Sequence, residues 1–370
     1  MIIYFHAEVF IMNTELDFPK YVPSGLWKEG HVQGIAVDAK NGFIYYSFTT
    51  ILLKTDLAGN PVGSVKNIVG HLGCITFDAD RGKVYGSLEL KHDAIGKGIM
   101  ERTGKALAEE DAFYLVCFDA DKIDRMEMDA ESDGVMSAVW LADPLNDYYE
   151  ADEVSGEPHR YGCSGIDGTG YGPVFGADKD SEKKIMVAYG IYGDNERSDN
   201  DNQVIVQYSP EVFTEYGKPL TQAEPHHSGP EKSEERYFLH TGNTNWGVQN
   251  LEYDAFSGAW LVAVYIGNKP QYENFKMFFI DGKIPAKEGE VFGRNGERGK
   301  NLSFAKIGKT DDGKRYGCHF SLGSTGVYSF GDGRFYFSRA QGNNEEKTFS
   351  GDVYMYTMNM ENEKVFEMEE

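Results

Sequence analysis

His31-Val-Gln-Gly-Ile-Ala-Val-Asp38 is an eight-residue phrase that returns along the chain in related forms. The other four copies are His71-Leu-Gly-Cys-Ile-Thr-Phe-Asp78, Arg160-Tyr-Gly-Cys-Ser-Gly-Ile-Asp167, Gly247-Val-Gln-Asn-Leu-Glu-Tyr-Asp254 and Arg315-Tyr-Gly-Cys-His-Phe-Ser-Leu322. A phrase that recurs at this scale is typical of a repeat architecture, in which each copy marks one structural unit. Positions that differ between the copies are therefore candidates for function.

Similar sequences follow most copies of the phrase. Asp38-Ala-Lys-Asn-Gly42 and Asp78-Ala-Asp-Arg-Gly82 are turn sequences, because Asp accepts hydrogen bonds within a turn and Gly takes the positive φ. Strand-like runs rich in aromatic and β-branched residues come next. The predicted second strands are residues 43–48, 83–88, 184–189, 259–265 and 334–338; the third strands are 51–56, 113–118, 203–208, 275–280 and 352–358; the fourth are 63–69, 136–141, 235–240 and 302–307.

Four antiparallel strands per repeat predict an all-β fold, a single five-bladed β-propeller over residues 1–370 with loop insertions. A six-bladed ring is the alternative. Either residues 17–22 or residues 365–369 would complete the fifth blade, and we favour 17–22 because fourth strands elsewhere directly precede the next phrase. The insertions are residues 91–111, 143–159, 192–202 and 209–234.

Composition restricts the kind of partner. The chain has 36 basic and 59 acidic residues, a net charge of −23, which argues against nucleic acid or an anionic membrane as the main partner. No run approaches the roughly 18 apolar residues of a membrane helix. Residues 1–11 make a poor signal peptide and are interpreted as a dispensable N-terminal extension, so we expect a cytoplasmic protein. Three of the four cysteines hold the fourth phrase position, which predicts small apolar residues on inner strands rather than disulfides.

The first phrase position is basic or potentially basic in most copies. In a propeller the first strand of each blade lines the central channel, so His31, His71, Arg160 and Arg315 would meet at one channel mouth. Arginine is suited to binding carboxylate, phosphate or sulfate, which predicts an anion site in this acidic chain. The alternative is that these side chains form structural ion pairs with the acidic insertions.

Two further features of the phrase copies suggest functional sites, a group of histidines and a single glutamate. His31, His71 and His319, with Gln33 or Gln249, would form a site for a divalent metal on the channel axis, unless they are buried, hydrogen-bonded histidines. Glu252 lies in a column that otherwise holds Ala36, Thr76, Gly165 and Phe320. A carboxyl in such a column is partly desolvated, which suits general acid or base work, unless Arg or backbone amides satisfy it.

The sequences of the predicted blades also resemble those of known propellers. Gly34-Ile-Ala-Val-Asp38 followed by Ile44-Tyr-Tyr-Ser47 is similar to blades of the NHL and gluconolactonase-like type. That resemblance implies the β-propeller fold. Carbohydrate-active lyases and hydrolases, lactonases and binding scaffolds all use this fold, so the resemblance does not choose among them.

Our leading hypothesis is a carbohydrate-active enzyme, a lyase or glycoside hydrolase, that acts on an anionic sugar at the channel mouth. Elimination would need one base, such as His31, His71, His319 or Tyr161, while hydrolysis would need two carboxylates, for which Glu252 and Glu89 are the predicted pair. The predicted substrate-binding residues are Gln33, Glu89, Lys91, His92, Arg160, Asn245, Trp246, Gln249, Arg315 and Arg339. A non-catalytic propeller that binds a ligand or a protein, and a metal-dependent lactonase or esterase, are the alternatives.

Overall fold

The structure is a computed structural model that describes residues 17–153, 155–343 and 345–369. Within these ranges the strands form five antiparallel-based sheets arranged as a closed ring, a five-bladed β-propeller. The inner strand of each blade contacts the inner strands of both neighbouring blades. This confirms the predicted fold and blade number. The proposed N-terminal extension, residues 1–11, lies outside the described residues.

The first two blades follow the sequence pattern closely. From the channel outward, blade one contains Val32–Asp38, Phe43–Phe48, Ile51–Asp56 and Pro61–Lys66, to which Met128–Asp129 adds in parallel. Blade two contains His71–Asp78, Lys83–Leu90, Ala112–Asp119 and Met136–Trp140. In both of these blades the phrase copy is the inner strand, and the Asp-x-x-x-Gly turn leads into the second strand.

Blades three and four carry extra outer strands. Blade three contains Cys163–Pro173, Lys183–Ile191, Asn202–Tyr208 and Glu235–His240, followed outward by Arg298–Asn301 and Lys287–Glu290. Blade four contains Asn245–Asp254, Ala259–Tyr265, Met277–Asp281, Arg315–Cys318 and Lys309–Asp311. The segment between Met277–Asp281 and Arg315–Cys318 therefore leaves blade four, pairs with blade three and returns.

Blade five is closed by both ends of the described chain. Its strands are Val327–Ser329, Arg334–Asn343 and Thr348–Met358. Tyr21–Val22 and Phe366–Met368 then pair antiparallel with successive parts of the outer edge of Thr348–Met358. The two segments that the sequence offered as alternatives are thus both used.

The insertions contain the helices. Helix α1 is Ala94–Thr103, α2 is Ala142–Tyr149 and α3 is Val212–Glu215, and the 3₁₀ turns are Ala120–Lys122, Arg160–Gly162 and Gly323–Thr325. Asp93 caps α1 by accepting the Gly96 N–H, and Gly104 ends it with a positive φ. None of the helices in the described ranges is long and apolar enough to cross a bilayer.

The hydrophobic core is divided among the spaces between blades. Five apolar clusters lie between successive blades, including the pair formed by blade five and blade one. Because each sheet is covered on both faces, aromatic and β-branched residues occupy both sides of the second and third strands. Trp260, Tyr45 and Tyr189 are completely buried in this way.

The fifth phrase copy was misassigned. Arg315–Cys318 is an outer strand of blade four, and the inner strand of blade five is Val327–Ser329, which does not contain the phrase. Gly317 is needed there for a different reason, since a Cβ would lie 2.5 Å from the Met277 carbonyl oxygen. Residues 302–307, predicted as a fourth strand, contribute only a single bridge between Phe304 and Ile280. The fifth copy was also the one that lacked the terminal Asp.

The four cysteines are buried and free. Cys74 and Cys163 lie on inner strands, as predicted, whereas Cys117 lies on the third strand of blade two. Cys318 lies on the outer strand of blade four, because it belongs to the misassigned copy.

Ring closure by the C-terminal strand predicts a large effect for Phe366→Ala. Phe366 is buried and its ring packs against Phe335, Phe337 and Phe320. We expect the free energy of unfolding to fall by about 3–5 kcal/mol, the usual loss for truncating a buried Phe. Met368→Ala, on the same strand but exposed, is the control and should have little effect in urea unfolding. Equal losses would contradict the closure described here.

Candidate functional site

Two cavities lie at opposite ends of the propeller axis. The first, which we call the entry cavity, lies where the inner strands begin and has a volume of about 210 Å³. The second, the turn cavity, lies where the inner strands end and has a volume of about 700 Å³. All five blades line the turn cavity, whereas the entry cavity is lined by blades one to four and by helix α1.

Asn250 crosses the axis between the two cavities. Its side-chain N–H donates to the Gln33 carbonyl oxygen of blade one at 2.8 Å. Its Oδ1 lies 3.2 Å from the Cys74 Sγ of blade two. Because blade four thus reaches blades one and two through the centre of the ring, the channel is closed at mid-height and the cavities are separate sites.

The entry cavity brings together about half of the predicted site residues. They come from the starts of the inner strands and the ends of the second strands, as the propeller geometry predicts. The predicted residues that line it are His31, Gln33, His71, Glu89, Lys91, Trp246 and Gln249. Residues that the sequence did not single out complete the lining: Ile95, Ser164, Ile166, Asp167, Gly190 and Tyr265.

Glu89 and Lys91 form a buried ion pair at the wall of this cavity. Lys91 Nζ lies 2.9 Å from Glu89 Oε2 and 3.2 Å from Asp93 Oδ2, and it donates to the Ser164 carbonyl oxygen. Burial alone would lower the pKa of Lys91, but the two carboxylates raise it above its ordinary value. Burial raises the pKa of Glu89, while Lys91 and the Ile166 N–H oppose this shift by stabilising the carboxylate.

The close fit of Glu89 depends on a glycine in the next blade. Gly165 has a φ of 143°, and a Cβ there would lie 1.7 Å from Glu89 Oε1. A side chain at this position would be strained and would also displace the carboxylate. Gly165 of the third phrase copy therefore provides the space for the Glu89 carboxyl group from blade two.

Asp167 is the second carboxyl group of the entry cavity. It lies at a register shift between Ile166 and Thr169, in the middle of the inner strand of blade three. Its Oδ1 is enclosed and, among the described residues, has no hydrogen-bond partner. Burial, followed by the nearby charge of Glu89, raises the pKa of Asp167 well above its ordinary value. Asp167 is therefore held in its protonated form more strongly than Glu89, which bonds Lys91 directly.

The two histidines of the cavity differ in depth. His71 is buried, its Nδ1 lies 3.9 Å from Glu89 Oε2, and burial together with the Lys91 charge lowers its pKa to about 3. The imidazole is therefore neutral at neutral pH. His31 lies at the exposed rim, with its Nε2 3.0 Å from Gln33 Nε2.

The three-histidine metal site of the sequence hypothesis does not form. His319 lies in the outer part of blade four, exposed, with its Nε2 3.2 Å from Glu273 Oε1. His319 belongs to the misassigned fifth phrase copy and therefore lies away from the channel. Nowhere in the described ranges do three His, Cys, Asp or Glu side chains converge as metal ligands.

The predicted cluster of arginines is also dispersed. Arg160 lies in a 3₁₀ turn beside Glu297, Asp147 and Glu150, at distances of 3.4–3.8 Å. Arg315 donates to Asp311 and stacks on Tyr272, and Arg339 stacks on Tyr354 of blade five. The anion site formed by these arginines was a wrong prediction, and the structural alternative describes Arg160 and Arg315.

Three other predicted residues lie outside the lining of the entry cavity. Tyr161 is buried and donates to Glu297, with the Arg294 guanidinium 4.6 Å from its ring centre. His92 bonds Asp111 through Nδ1 at 2.8 Å. Asn245 is exposed at the first position of the inner strand of blade four. Adjacency in sequence to lining residues therefore did not bring these three side chains to the cavity.

Glu252 lines the turn cavity, at the other end of the axis from Glu89. The two therefore cannot flank one bond, which overturns the predicted pair. Glu252 Oε1 accepts the Ser329 N–H at 2.8 Å, and burial raises the pKa of Glu252 to about 8. Asp254 adds to this rise and Lys183 opposes it, while Arg81, also in the lining, bonds Asp78 and Glu211.

Asp167 was the main omission of the sequence analysis. In the phrase alignment Asp167 takes the same position as the turn residues Asp38 and Asp78, and it was not considered as a site residue. The signal that could have corrected this was the delayed second strand, because blade three continues its inner strand to Pro173 and turns only there. An aspartate six residues before the true turn is not a turn residue.

No protein family matches the sequence, and the comparison with curated proteins gives no match. Among solved structures, a Cellvibrio cellulosa α-L-arabinanase mutant aligns with 96% of this chain and 96% of its own at 9% identity and a TM-score of 0.38. An oligogalacturonate lyase in complex with manganese aligns over 87% and 76% at 12% identity and a TM-score of 0.28. The Neurospora crassa Pan2 WD40 domain aligns over 87% and 75% at 7% identity and a TM-score of 0.30. These likenesses carry no argument about function.

Glu252→Gln tests the environment of the turn cavity. Because the folded-state pKa of about 8 exceeds the ordinary value of 4.5, the native protein holds this proton more tightly than the unfolded chain. The free energy of unfolding of the wild type should therefore fall as the pH rises through this window. The free energy of unfolding of the variant should not fall in this way. At the alkaline end of the window it should exceed that of the wild type by about 1–2 kcal/mol, allowing for partial solvation. Urea unfolding across the pH range measures it.

The exposed Glu361→Gln is the control for this measurement. It should follow the wild-type dependence on pH. A Glu252→Gln profile that coincides with that of the wild type would show that Glu252 is ionised normally.

Proposed function

We propose that the protein hydrolyses a glycosidic bond in a carbohydrate bound at the entry cavity, with Asp167 as proton donor and Glu89 as the second carboxylate. The observation that carries this proposal is the presence of two carboxyl groups in one cavity in contrasting environments. Glycoside hydrolysis characteristically needs such a pair, one protonated and one ionised. The pair resembles the one anticipated from the sequence, with Asp167 in place of Glu252.

Each carboxyl group is suited to one task. Asp167, protonated because of its raised pKa, donates its proton to the departing glycosidic oxygen as the C–O bond breaks. Glu89, stabilised as a carboxylate by Lys91, accepts a proton from water or bonds the anomeric carbon before water does. Water completes the reaction: its hydroxyl group joins the anomeric carbon, and its other proton returns Asp167 to the protonated form, through Glu89 and solvent in the first route and directly in the second, so that Glu89 ends as a carboxylate. The anomeric configuration of the first product distinguishes the two routes for Glu89.

Hydrolysis fits this cavity better than elimination from a uronic acid. Elimination requires a cation that neutralises the sugar carboxylate. Arg160, Arg315 and Arg339 lie elsewhere, and Lys91 already contacts Glu89 and Asp93. The surroundings therefore support a neutral sugar as the substrate rather than the anionic one of the sequence hypothesis.

The remaining side chains of the cavity suit a hydroxyl-rich ring. Trp246 is 43% exposed at the rim and presents a face for stacking on a sugar. Gln33 and the neutral His71 offer hydrogen-bond donors and acceptors without a net charge. His71 Nδ1 is enclosed and has no hydrogen-bond partner in the described part of the chain, so it is available to a ligand group or a water.

The first test is activity after neutral replacement of each carboxyl group. We expect Asp167→Asn and Glu89→Gln each to lower kcat/KM by roughly 10²–10⁴-fold, because each removes one proton-transfer or nucleophilic role. The measurement is the release of reducing ends from a panel of neutral and uronic-acid oligosaccharides and aryl glycosides.

Glu252→Gln is the matched control, since it also removes a carboxyl group of raised pKa from an inner strand but at the other end of the axis. It should retain wild-type activity. A panel in which nothing is cleaved, or an Asp167→Asn enzyme as active as the wild type, would refute the proposed function.

The pH profile gives a second test with a defined sign. Because Asp167 acts in its protonated form, kcat/KM should fall on the alkaline side as Asp167 loses its proton. On the acid side it should fall as Glu89 becomes protonated. Lys91→Met should move the acid limb to higher pH, because it removes the cation that stabilises the Glu89 carboxylate. An acid limb that stays in place would exclude this role for Lys91.

A further inference from the structure

The size of the entry cavity limits what can enter it. Its volume of about 210 Å³ is below the roughly 300–1,000 Å³ of pockets that enclose a drug-sized molecule. Hydrolysis of a long chain at an internal bond needs an open groove with room on both sides of the carboxyl groups. A space of this size instead matches a single sugar ring.

The floor of the cavity is closed. Gln33, which lines the cavity, is held from below by Asn250 through its carbonyl oxygen, and Cys74 packs against the same amide group. A polysaccharide therefore has no path through the channel to the turn cavity. Anything that enters must leave by the same mouth.

Glu89 lies below the rim, and Asp167 beside it is only partly exposed. Glu89 is 5% exposed, whereas Ile95 and Trp246 at the rim are 37% and 43% exposed. The bond to be cleaved must therefore descend between these two rim residues to reach Glu89 and Asp167. Only the end of a chain can do so, because an internal unit would need room for neighbours on both sides.

Each wall of the mouth is held in place. Ile95 lies in the first turn of helix α1, whose cap Asp93 is also the ion-pair partner of Lys91. Trp246, which lines the cavity from blade four, has a φ of 62°, which is unusual for a non-glycine residue, and its carbonyl oxygen accepts the Gln249 side-chain N–H. A bulky residue held in a strained conformation at a cavity mouth is the kind of feature found at ligand clamps.

From these observations we infer that the entry cavity accepts only the terminal ring of its substrate, between Ile95 and Trp246, so that the enzyme acts from a chain end and releases one monosaccharide per cleavage. This inference rests on the proposed function. It adds the mode of action and assigns Ile95, on an insertion of blade two, as a residue that limits the substrate.

Product analysis tests the mode of action. An oligosaccharide of six units that the wild type cleaves, labelled at its reducing end, is sampled at low conversion and resolved by chromatography. We expect the monosaccharide and the five-unit chain as the only early products. Early fragments of two, three or four units would overturn the inference while leaving hydrolysis intact. If no carbohydrate is cleaved at all, the proposed function itself fails and the inference falls with it.

Ile95→Trp tests the wall directly. The larger ring should obstruct the mouth and lower kcat/KM by about tenfold or more, with an unchanged melting temperature because the position is on the surface. Glu101→Trp, on the exposed side of the same helix, is the matched control and should retain full activity. If the two variants have the same activity, helix α1 does not limit access and the inference is wrong.

Discussion

Each blade of this propeller buries both faces of its sheet, and the protein depends on every sheet having two neighbours. The five apolar clusters lie between blades, so none belongs to one blade alone. A missing neighbour would expose an aromatic-rich face to water. This is why both ends of the described chain add to the edge of Thr348–Met358. The pairing holds blade five beside blade one and makes the ring complete.

A closed ring also determines the electrostatics of its axis. Glu89 and His71 of blade two and Asp167 of blade three line the same entry cavity, in which Glu89 and His71 are buried. In surroundings of low polarity a buried charge is energetically unfavourable unless it has a partner. Lys91 partners Glu89 directly, so the two carboxyl groups respond to burial to different extents. The turn cavity is larger, and Glu252 lies on its inner-strand wall, whereas its other lining carboxyl groups, Asp80, Asp180 and Glu182, are exposed.

The strands and turns were largely predictable because their signals are local. Phe43–Phe48, Ala259–Tyr265 and Glu235–His240 begin and end where the pattern predicted. The site was less predictable, because the phrase alignment assumed that residues with the same sequence context occupy equivalent positions in different blades. Arg315-Tyr-Gly-Cys318 matches the third copy closely in sequence but lies at the outer edge of blade four. Arg160 is in a true copy, yet a 3₁₀ turn takes it beside Glu297.

The sequence alone determined the repeat and the all-β class, because alternation, turn residues and strand length act over a few neighbouring positions. The predicted number of five blades is correct, although one of the five phrase copies behind it lies in blade four. It also pointed to the channel mouth, where Glu89 and Lys91 lie at the end of a second strand and Trp246 near the start of an inner strand. Only the tertiary structure decided which carboxyl groups share a cavity. That choice depends on the register shift that brings Asp167 to the axis, on the absence of a side chain at Gly165, and on contacts between blades far apart in sequence.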